Sequence, residues 1–260
     1  MSGLKRPDKS AALCYPALMS ASYDKIGVNY SDLRKPDPRI QRIVEQALGS
    51  AKTILNVGAG TGSYEPADRQ VTAVEPSKEM IRQRRTPAVQ VVQGYAESLP
   101  FDDNSFDASM AILTVHHWTD KQKGLNEMRR ATRGPTVLLT FDPTFRFWLS
   151  DYVPELAALD DEQMPKLTDY EAWLGPVDIS TVLVPHDCID GFLYAYWRRP
   201  AAYLDPKIRA AMSSFWAMDT VSEGLTTLAH DLDSGAWAQR NSELLNREAY
   251  DVGYRLVVTK

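Results

Sequence analysis

Thr53-Ile54-Leu55-Asn56-Val57-Gly58-Ala59-Gly60-Thr61-Gly62 is followed, after eight residues, by Val71-Thr72-Ala73-Val74-Glu75. This is an apolar run, a glycine-dense turn and a second apolar run that ends in a carboxylate. Short runs rich in β-branched residues read as buried strands. The turn after the first strand needs glycines so that ligand atoms can approach the backbone. A helix after such a turn would offer unpaired N–H groups, and a carboxylate at the tip of the next strand can accept hydrogen bonds from both hydroxyls of a ribose. The stretch therefore predicts a nucleoside site at the edge of a parallel sheet.

Which nucleoside binds depends on the third glycine. The dinucleotide fingerprint sets it three residues after the second, where it allows helix to pack on strand and leaves room for a pyrophosphate. Ser63 stands there instead. Further strands follow at Val89–Gln93, Ser105–Leu113 and Thr136–Phe141, with a helix through Leu125, Met128 and Ala131 before the last. Apolar positions Ile40, Ile43, Val44, Ala47 and Leu48 recur at helical spacing, and Gly49 suits a C-cap. The segment from Gly62 to Val71 contains Pro66 and has room for only about two helical turns. Ser77 is a good N-cap for the next helix. After Phe141, an aromatic helix is expected to run to Leu156, Asp160-Asp161-Glu162 and Pro165 to form a loop, and residues 177–184 and 254–259 to form strands six and seven.

Taken in order, Gly58-x-Gly60-x-Gly62, Ala96-Glu97-x-Leu99-Pro100-Phe101, Asp103-x-Ser105-Phe106-Asp107, His116-His117-Trp118 and Glu127-Met128-Arg129-Arg130 resemble the Rossmann-like class I S-adenosylmethionine-dependent methyltransferases. The resemblance is to the superfamily that includes the ubiquinone and menaquinone methyltransferases, and it covers roughly residues 20 to 142. It implies an α/β fold: a seven-stranded, mostly parallel sheet with an antiparallel last strand, helices on both faces and a helical cap. The whole chain, 1–260, would be a single domain. Its core would be about 37–142 plus the strands at about 177–184 and 254–259, with a cap from about 15–36, 143–176 and 187–250. Strands six and seven would form the antiparallel edge.

The resemblance also implies S-adenosyl-L-methionine as cofactor and methyl transfer to a small organic molecule. Glu75, 17 residues after Gly58, lies where the ribose acceptor is expected; Gly58, Ala59 and Gly60 form the turn, and Pro76 and Leu113 are expected beside the cofactor. Asn56 stands where an acid is common and is expected near the amino-acid end. Tyr95 stands where an acid often takes the adenine amino group, so either Glu97 or a backbone carbonyl takes it, or the pocket is more apolar. The Ala96 N–H is placed to donate to the ring. Met80 either packs in the core or contacts the adenine. Tyr23 and Tyr30 are expected in an N-terminal lid, Tyr23 against the cofactor and Tyr30 against the substrate.

A histidine titrates near neutrality and can take a proton from a hydroxyl or amine, so His116 and His117 are candidate catalytic bases or simply walls of the pocket. Trp197 and Arg198 either clasp a planar or anionic substrate or pack within the cap. Asp142, at the tip of strand five, either faces the acceptor pocket or caps the following turn. His186, Asp187 and Asp190 are spaced better for turn formation and capping than for a metal, and no metal is expected. Methyl transfer needs neither a Ser-His-Asp triad nor a metal, which fits the lack of either signature.

Composition narrows the partners. A net charge of −5 over 260 residues lacks the basic footprint of a nucleic-acid binder, and no run approaches the ~20 apolar residues of a membrane span. Two cysteines, Cys14 and Cys188, have no zinc-site spacing and make no disulfide framework, so reduced thiols and a cytoplasmic location are expected. Ala11–Ala21 follows basic residues as a signal peptide would, but Tyr15, Pro16 and Ser20 interrupt it, and no cleaved leader is expected. Two other readings stand beside methyl transfer: a nicotinamide-dependent oxidoreductase, disfavoured by Ser63, and a protein that binds the cofactor without transferring its methyl group. The acceptor atom and the oligomeric state are not specified by any motif.

Overall fold

A computed structural model describes residues 30–84, 89–218 and 221–260; Tyr23 and Cys14 lie outside them. A short helix, α1 (Tyr30–Leu33), leads to α2 (Pro38–Ala47). Asp37 caps α2 by accepting from the Arg39 N–H, with proline at the first helical position where no donor is lost. Strands β1 (Thr53–Val57) and β2 (Gln70–Glu75) follow, then α3 (Lys78–Arg82), capped by Ser77 as its sequence suggests. Next come β3 (Gln90–Gln93), β4 (Ala108–Ile112), α4 (Lys121–Ala131) and β5 (Thr136–Phe141). Helices α5 (Leu149–Tyr152), α6 (Glu155–Gln163) and α7 (Leu167–Leu174) precede β6 (Val177–Pro185). Between β6 and the final strand lie α8 (Pro206–Arg209), α9 (Ser213–Trp216), α10 (Ser222–Asp233) and α11 (Ala236–Arg240); β7 (Ala249–Thr259) closes the sheet.

The seven strands are ordered β3-β2-β1-β4-β5-β7-β6. β3, β2, β1, β4 and β5 are parallel, and β7 runs antiparallel to both β5 and β6. Only β7 is therefore reversed, and β6 runs with the first five. The strand order turns back between β1 and β4, the switch point at which open sheets of this kind leave a crevice for ligands.

Alternate residues of the central strands serve two apolar layers. Ile54, Met110 and Leu139 join Ile40, Val44 and Leu48 of α2 and the aromatic cap on one face. Leu55, Val57, Ala111 and Leu138 join Leu125 and Met128 of α4 and Tyr170 and Leu174 of α7 on the other. Helix α7 thus packs on the sheet, where its Tyr170 hydroxyl meets that of Thr140 at 2.8 Å. No helix among the described residues is long and apolar enough to cross a membrane.

Three local expectations fail. The aromatic helix expected to run to Leu156 is broken into α5 and α6, with Phe145, Phe147 and Trp148 outside both. The crossover from β1 to β2 contains turns and no helix, because Gly58, Gly60, Gly62 and Tyr64 all have φ between +53° and +91°, which is incompatible with a right-handed helix. Asp160-Asp161-Glu162 lie inside α6 rather than in a loop.

Candidate active site

The carboxyl ends of β1, β2 and β4 enclose a cleft of about 1080 Å³, counting the part open to solvent. At its centre is Glu75, buried at the tip of β2. Its two oxygens are held by the backbone: the Gly60 N–H donates to Oε2 at 2.7 Å and the Ser77 N–H to Oε1 at 2.9 Å. Both oxygens are thus engaged by backbone donors, which fix the orientation of the group at the tip of β2. Gly58 must be glycine for two reasons. Its φ is +67°, and a Cβ there would lie 2.1 Å from Oγ1 of Thr114. Among the described residues a Cβ on Gly60 would meet no atom within 4 Å, which leaves space above this stretch of the cleft wall.

With no helix after the turn, the loop is fixed by side chains. Asn56 Nδ2 donates to Glu65 Oε1 at 2.9 Å; Arg84 donates to both oxygens of Glu65 at 2.6 Å and to the Gly60 carbonyl at 3.1 Å. The Arg84 and Glu65 side chains are only 4% and 5% exposed, and a buried pair of this kind holds only while both partners and their hydrogen bonds are present. The pair ties the glycine turn to the end of α3, a tie the sequence pattern did not reveal.

Asn56, Gly58, Ala59, Gly60, Glu75, Pro76, Met80, Ala96, Glu97 and Leu113 all line this cleft. Glu97 Oε1 accepts from the Thr119 and Asp120 N–H groups, which fixes the entry to α4. Tyr95, the largest exposed aromatic in the wall, is 59% exposed. This donor and acceptor set fits S-adenosylmethionine: a two-oxygen acceptor for a ribose, an apolar slot made by Met80, Ala96 and Trp118, and a glycine turn with space above it. No helix follows the glycine turn to present its N-terminus to a pyrophosphate.

A second cavity of about 560 Å³ adjoins the first, and Arg34, Leu113 and His117 belong to both walls. Leu113 has φ +52°, an uncommon value for a non-glycine residue that costs of order 1 kcal/mol. It turns the chain sharply at the end of β4 into the 3-10 turn Val115–His117. His116 lines only the second cavity, its ring centroid 3.8 Å from that of His117. Burial, with the positive charges of Lys121 and Arg34, holds His117 down to about 4; burial and then His117 hold His116 well below the ordinary value. Both imidazoles are therefore neutral at pH 7 and weak proton acceptors.

The rest of the second cavity comes from the cap and from β5 and β7: Phe141, Met164, Phe192, Tyr194 and Tyr254, with Asp160 among them. Asp160 is 4% exposed, and the Tyr194 hydroxyl donates to its Oδ2 at 3.1 Å. Burial pushes Asp160 up to about 7, opposed by the Tyr194 hydrogen bond and by Arg146. Helical spacing of Leu156, Asp160 and Met164 on the inner side of α6 was the available signal, hidden by two neighbouring acids.

Other expected substrate contacts lie elsewhere. Trp197 is fully buried in the cap, its Nε1 donating to the Val184 carbonyl and its own carbonyl accepting from Trp148. Arg198 caps the Leu245 and Arg247 carbonyls. Asp142 accepts from the Thr144 N–H and hydroxyl. None of the three lines either cavity. Tyr30 opens α1. His186, Asp187 and Asp190 do not converge: Asp187 pairs with Arg39 at 2.7 Å, whereas Asp190 binds Arg34 at 2.6 Å and the Tyr64 hydroxyl at 2.8 Å. Among the described residues no group of His, Cys, Asp and Glu could hold a metal ion. The Arg34–Asp190 pair, with the Gly191 N–H on the Leu33 carbonyl at 3.0 Å, fastens the N-terminal segment to the cap beside both cavities.

Comparison with known proteins identifies the family and the fold. Residues 55–139 match the methyltransferase domain family. A protein from Anabaena variabilis, whose structure is described as that of a candidate methyltransferase from an antibiotic biosynthesis pathway, is 38% identical; it aligns with 88% of this chain and 99% of its own, at a TM-score of 0.82. The demethylmenaquinone methyltransferase of Renibacterium salmoninarum is 33% identical over 152 residues, 54% of this chain and 62% of the relative. The chain thus spans about three fifths of the length of the curated relatives it matches. The cyclase SpnF shares the fold at 14% identity and a TM-score of 0.54, covering 99% of this chain and 98% of its own.

Proposed function

The chain belongs to the class I S-adenosylmethionine-dependent methyltransferases, and we propose on that premise that it transfers a methyl group to a small organic molecule held in the second cavity. The observation that carries this reading is Glu75: a buried carboxylate, held by two backbone N–H groups on the floor of the first cleft. S-adenosylmethionine supplies the methyl as a sulfonium, whose neutral thioether leaves without protonation. Glu75 accepts the ribose hydroxyls, the Gly58–Gly60 turn with Asn56 receives the amino-acid end, and Met80 and Ala96 cover the adenine. Leu113 and His117, shared by both walls, mark where the methyl crosses. The protein's work is then to hold the acceptor in line and exclude water, since orientation alone can supply several kcal/mol of barrier reduction.

His117 and His116 shape this passage as neutral groups; their depressed basicity argues against the proton-acceptor role that their position suggests. The chain's net charge of −5 supports a small molecule over nucleic acid as acceptor. The buried, unbridged Cys188 supports a reducing, cytoplasmic setting. Two measurements test the reading: titration calorimetry with S-adenosylmethionine, S-adenosylhomocysteine and NAD, and transfer of labelled methyl to a broad acceptor panel. Binding of NAD in preference to the sulfonium nucleoside would favour the oxidoreductase reading. Tight sulfonium binding with no methylated product would favour a protein that uses the cofactor without transfer.

A further inference from the structure

The second cavity holds one acid that nothing so far has used. Asp160 sits on α6 with 4% of its surface exposed, in a wall that it shares with the aromatic residues Phe141, Phe192, Tyr194 and Tyr254 and with the hydroxyls of Thr140, Ser213 and Ser214. An acid is costly there, and a residue with no task would be replaced by an apolar one at a gain in stability. Tyr194 donates to one of its oxygens, leaving the other for a ligand. Among the described residues no cation is bonded to it: Arg146 binds both oxygens of Asp161 on the outside of α6, and Arg34 in the cavity wall is paired with Asp190.

We propose that Asp160 is the proton acceptor of the methyl transfer, and that the second cavity takes an uncharged molecule carrying a hydroxyl on a flat ring. This rests on the methyltransferase reading above and deepens it. The acceptor oxygen forms the new O–C bond as the S–CH₃ bond breaks and its electron pair stays on sulfur; the hydroxyl proton passes to the Asp160 carboxylate. The four aromatic rings suit a planar body. A permanent anion would meet Asp160, and an aliphatic ammonium would be held by it as an unreactive ion pair. Burial sets the acid near 7, where a general base combines the right protonation state with adequate strength. The groups that bear on its titration are Tyr194 and Tyr254 in the wall and Asp161 and Arg146 outside α6; Arg34, His116 and His117 line the same cavity.

The test uses the full chain, 2-naphthol as neutral probe, tryptamine as cationic probe and 2-naphthoate as anionic probe. Wild type is expected to bind and methylate 2-naphthol in preference to the other two. Asp160→Asn, which keeps an acceptor for Tyr194, should hold S-adenosylmethionine within about twofold of wild type and lose about 10²-fold or more in rate. It should also lose the rise in rate between pH 6 and 8. A carboxyl infrared band titrating near pH 7 should be present in wild type, absent from Asp160→Asn, and shifted by 2-naphthol even where turnover with that probe is slow. An unchanged rate or pH profile in Asp160→Asn, a band insensitive to 2-naphthol, or tighter binding of tryptamine or 2-naphthoate would overturn the proposal. Failure of wild type to bind S-adenosylmethionine would instead overturn the methyltransferase reading.

Discussion

Replacing Asp160 by asparagine should make the protein more stable, by an amount that depends on pH in a specified way. The carboxyl titrates at about 7 when folded, against an ordinary 3.8. A carboxyl whose folded value is raised favours folding only while protonated, so its contribution is unpenalised below the unfolded value and is lost as pH rises through the folded one. A shift of about three units at 1.36 kcal/mol each is a cost of roughly 4 kcal/mol above pH 7. The same linkage leaves roughly 1.5–2 kcal/mol at pH 5 and almost nothing at pH 3.5. Asparagine fills the same space, accepts from Tyr194 and carries no charge. Urea denaturation of the two proteins should therefore give a gap in unfolding free energy that grows from about 2 kcal/mol at pH 5 to about 4 kcal/mol at pH 8. A gap independent of pH would mean that Asp160 is not desolvated in solution, and the argument for its role would fail with it.

Glu75→Ala should weaken S-adenosylmethionine binding by about 1.5–3 kcal/mol, the range for hydrogen bonds to a charged group; unchanged affinity by calorimetry would reject its ribose role. Gly58→Ala places a Cβ against Thr114 and should cost about 1–3 kcal/mol in thermal unfolding. Adding Thr114→Ala should restore part of that loss, and no restoration would show that φ strain alone is responsible. His117, held down to about 4 from an ordinary 6.5, stabilises the fold above its unfolded value and loses that contribution as pH falls from 6.5 to 4. His117→Gln should therefore remove roughly 3 kcal/mol of acid-induced destabilisation over that window, as read by denaturation at pH 7.5 and 4.5, while leaving the pH–rate profile near neutrality in place. Asp190→Asn leaves the Arg34 charge without its carboxylate and should lower affinity for the cationic S-adenosylmethionine more than for neutral S-adenosylhomocysteine; equal losses in calorimetry would refute the electrostatic link.

The glycine turn and Glu75 were legible in the sequence because backbone conformation and strand alternation dictate residue type there: Gly58 has no room for a side chain, and Glu75 ends a run of buried β2 residues. The β1–β2 crossover was misread because apparent room for two turns ignores φ, and Tyr64 at +65° gives no sign of its conformation in its residue type. Asp160 was hidden because three consecutive acids look solvated, and its burial depends on β5, β7 and the cap arriving from residues far along the chain. Trp197 and Arg198 misled for the opposite reason. An aromatic-and-arginine run looks like a ligand clasp, yet Trp197 fills the cap core and Arg198 satisfies carbonyls at the end of a 3-10 turn.

The wall between the cavities has an electrostatic logic that no single residue displays. On the proposed reading, the sulfonium brings a positive charge beside Leu113, His117 and Arg34, which line both cavities, and an imidazolium there would repel it. Burial keeps His116 and His117 uncharged. Arg34 would be the exception, but its guanidinium is 2.6 Å from the fully buried Asp190. Asp160 is the acid that lines the second cavity, where it accepts a hydrogen bond from the Tyr194 hydroxyl and, among the described residues, from no cation. The same burial that depresses the histidines raises the acid. Burial of one passage thus removes the obvious base and makes another.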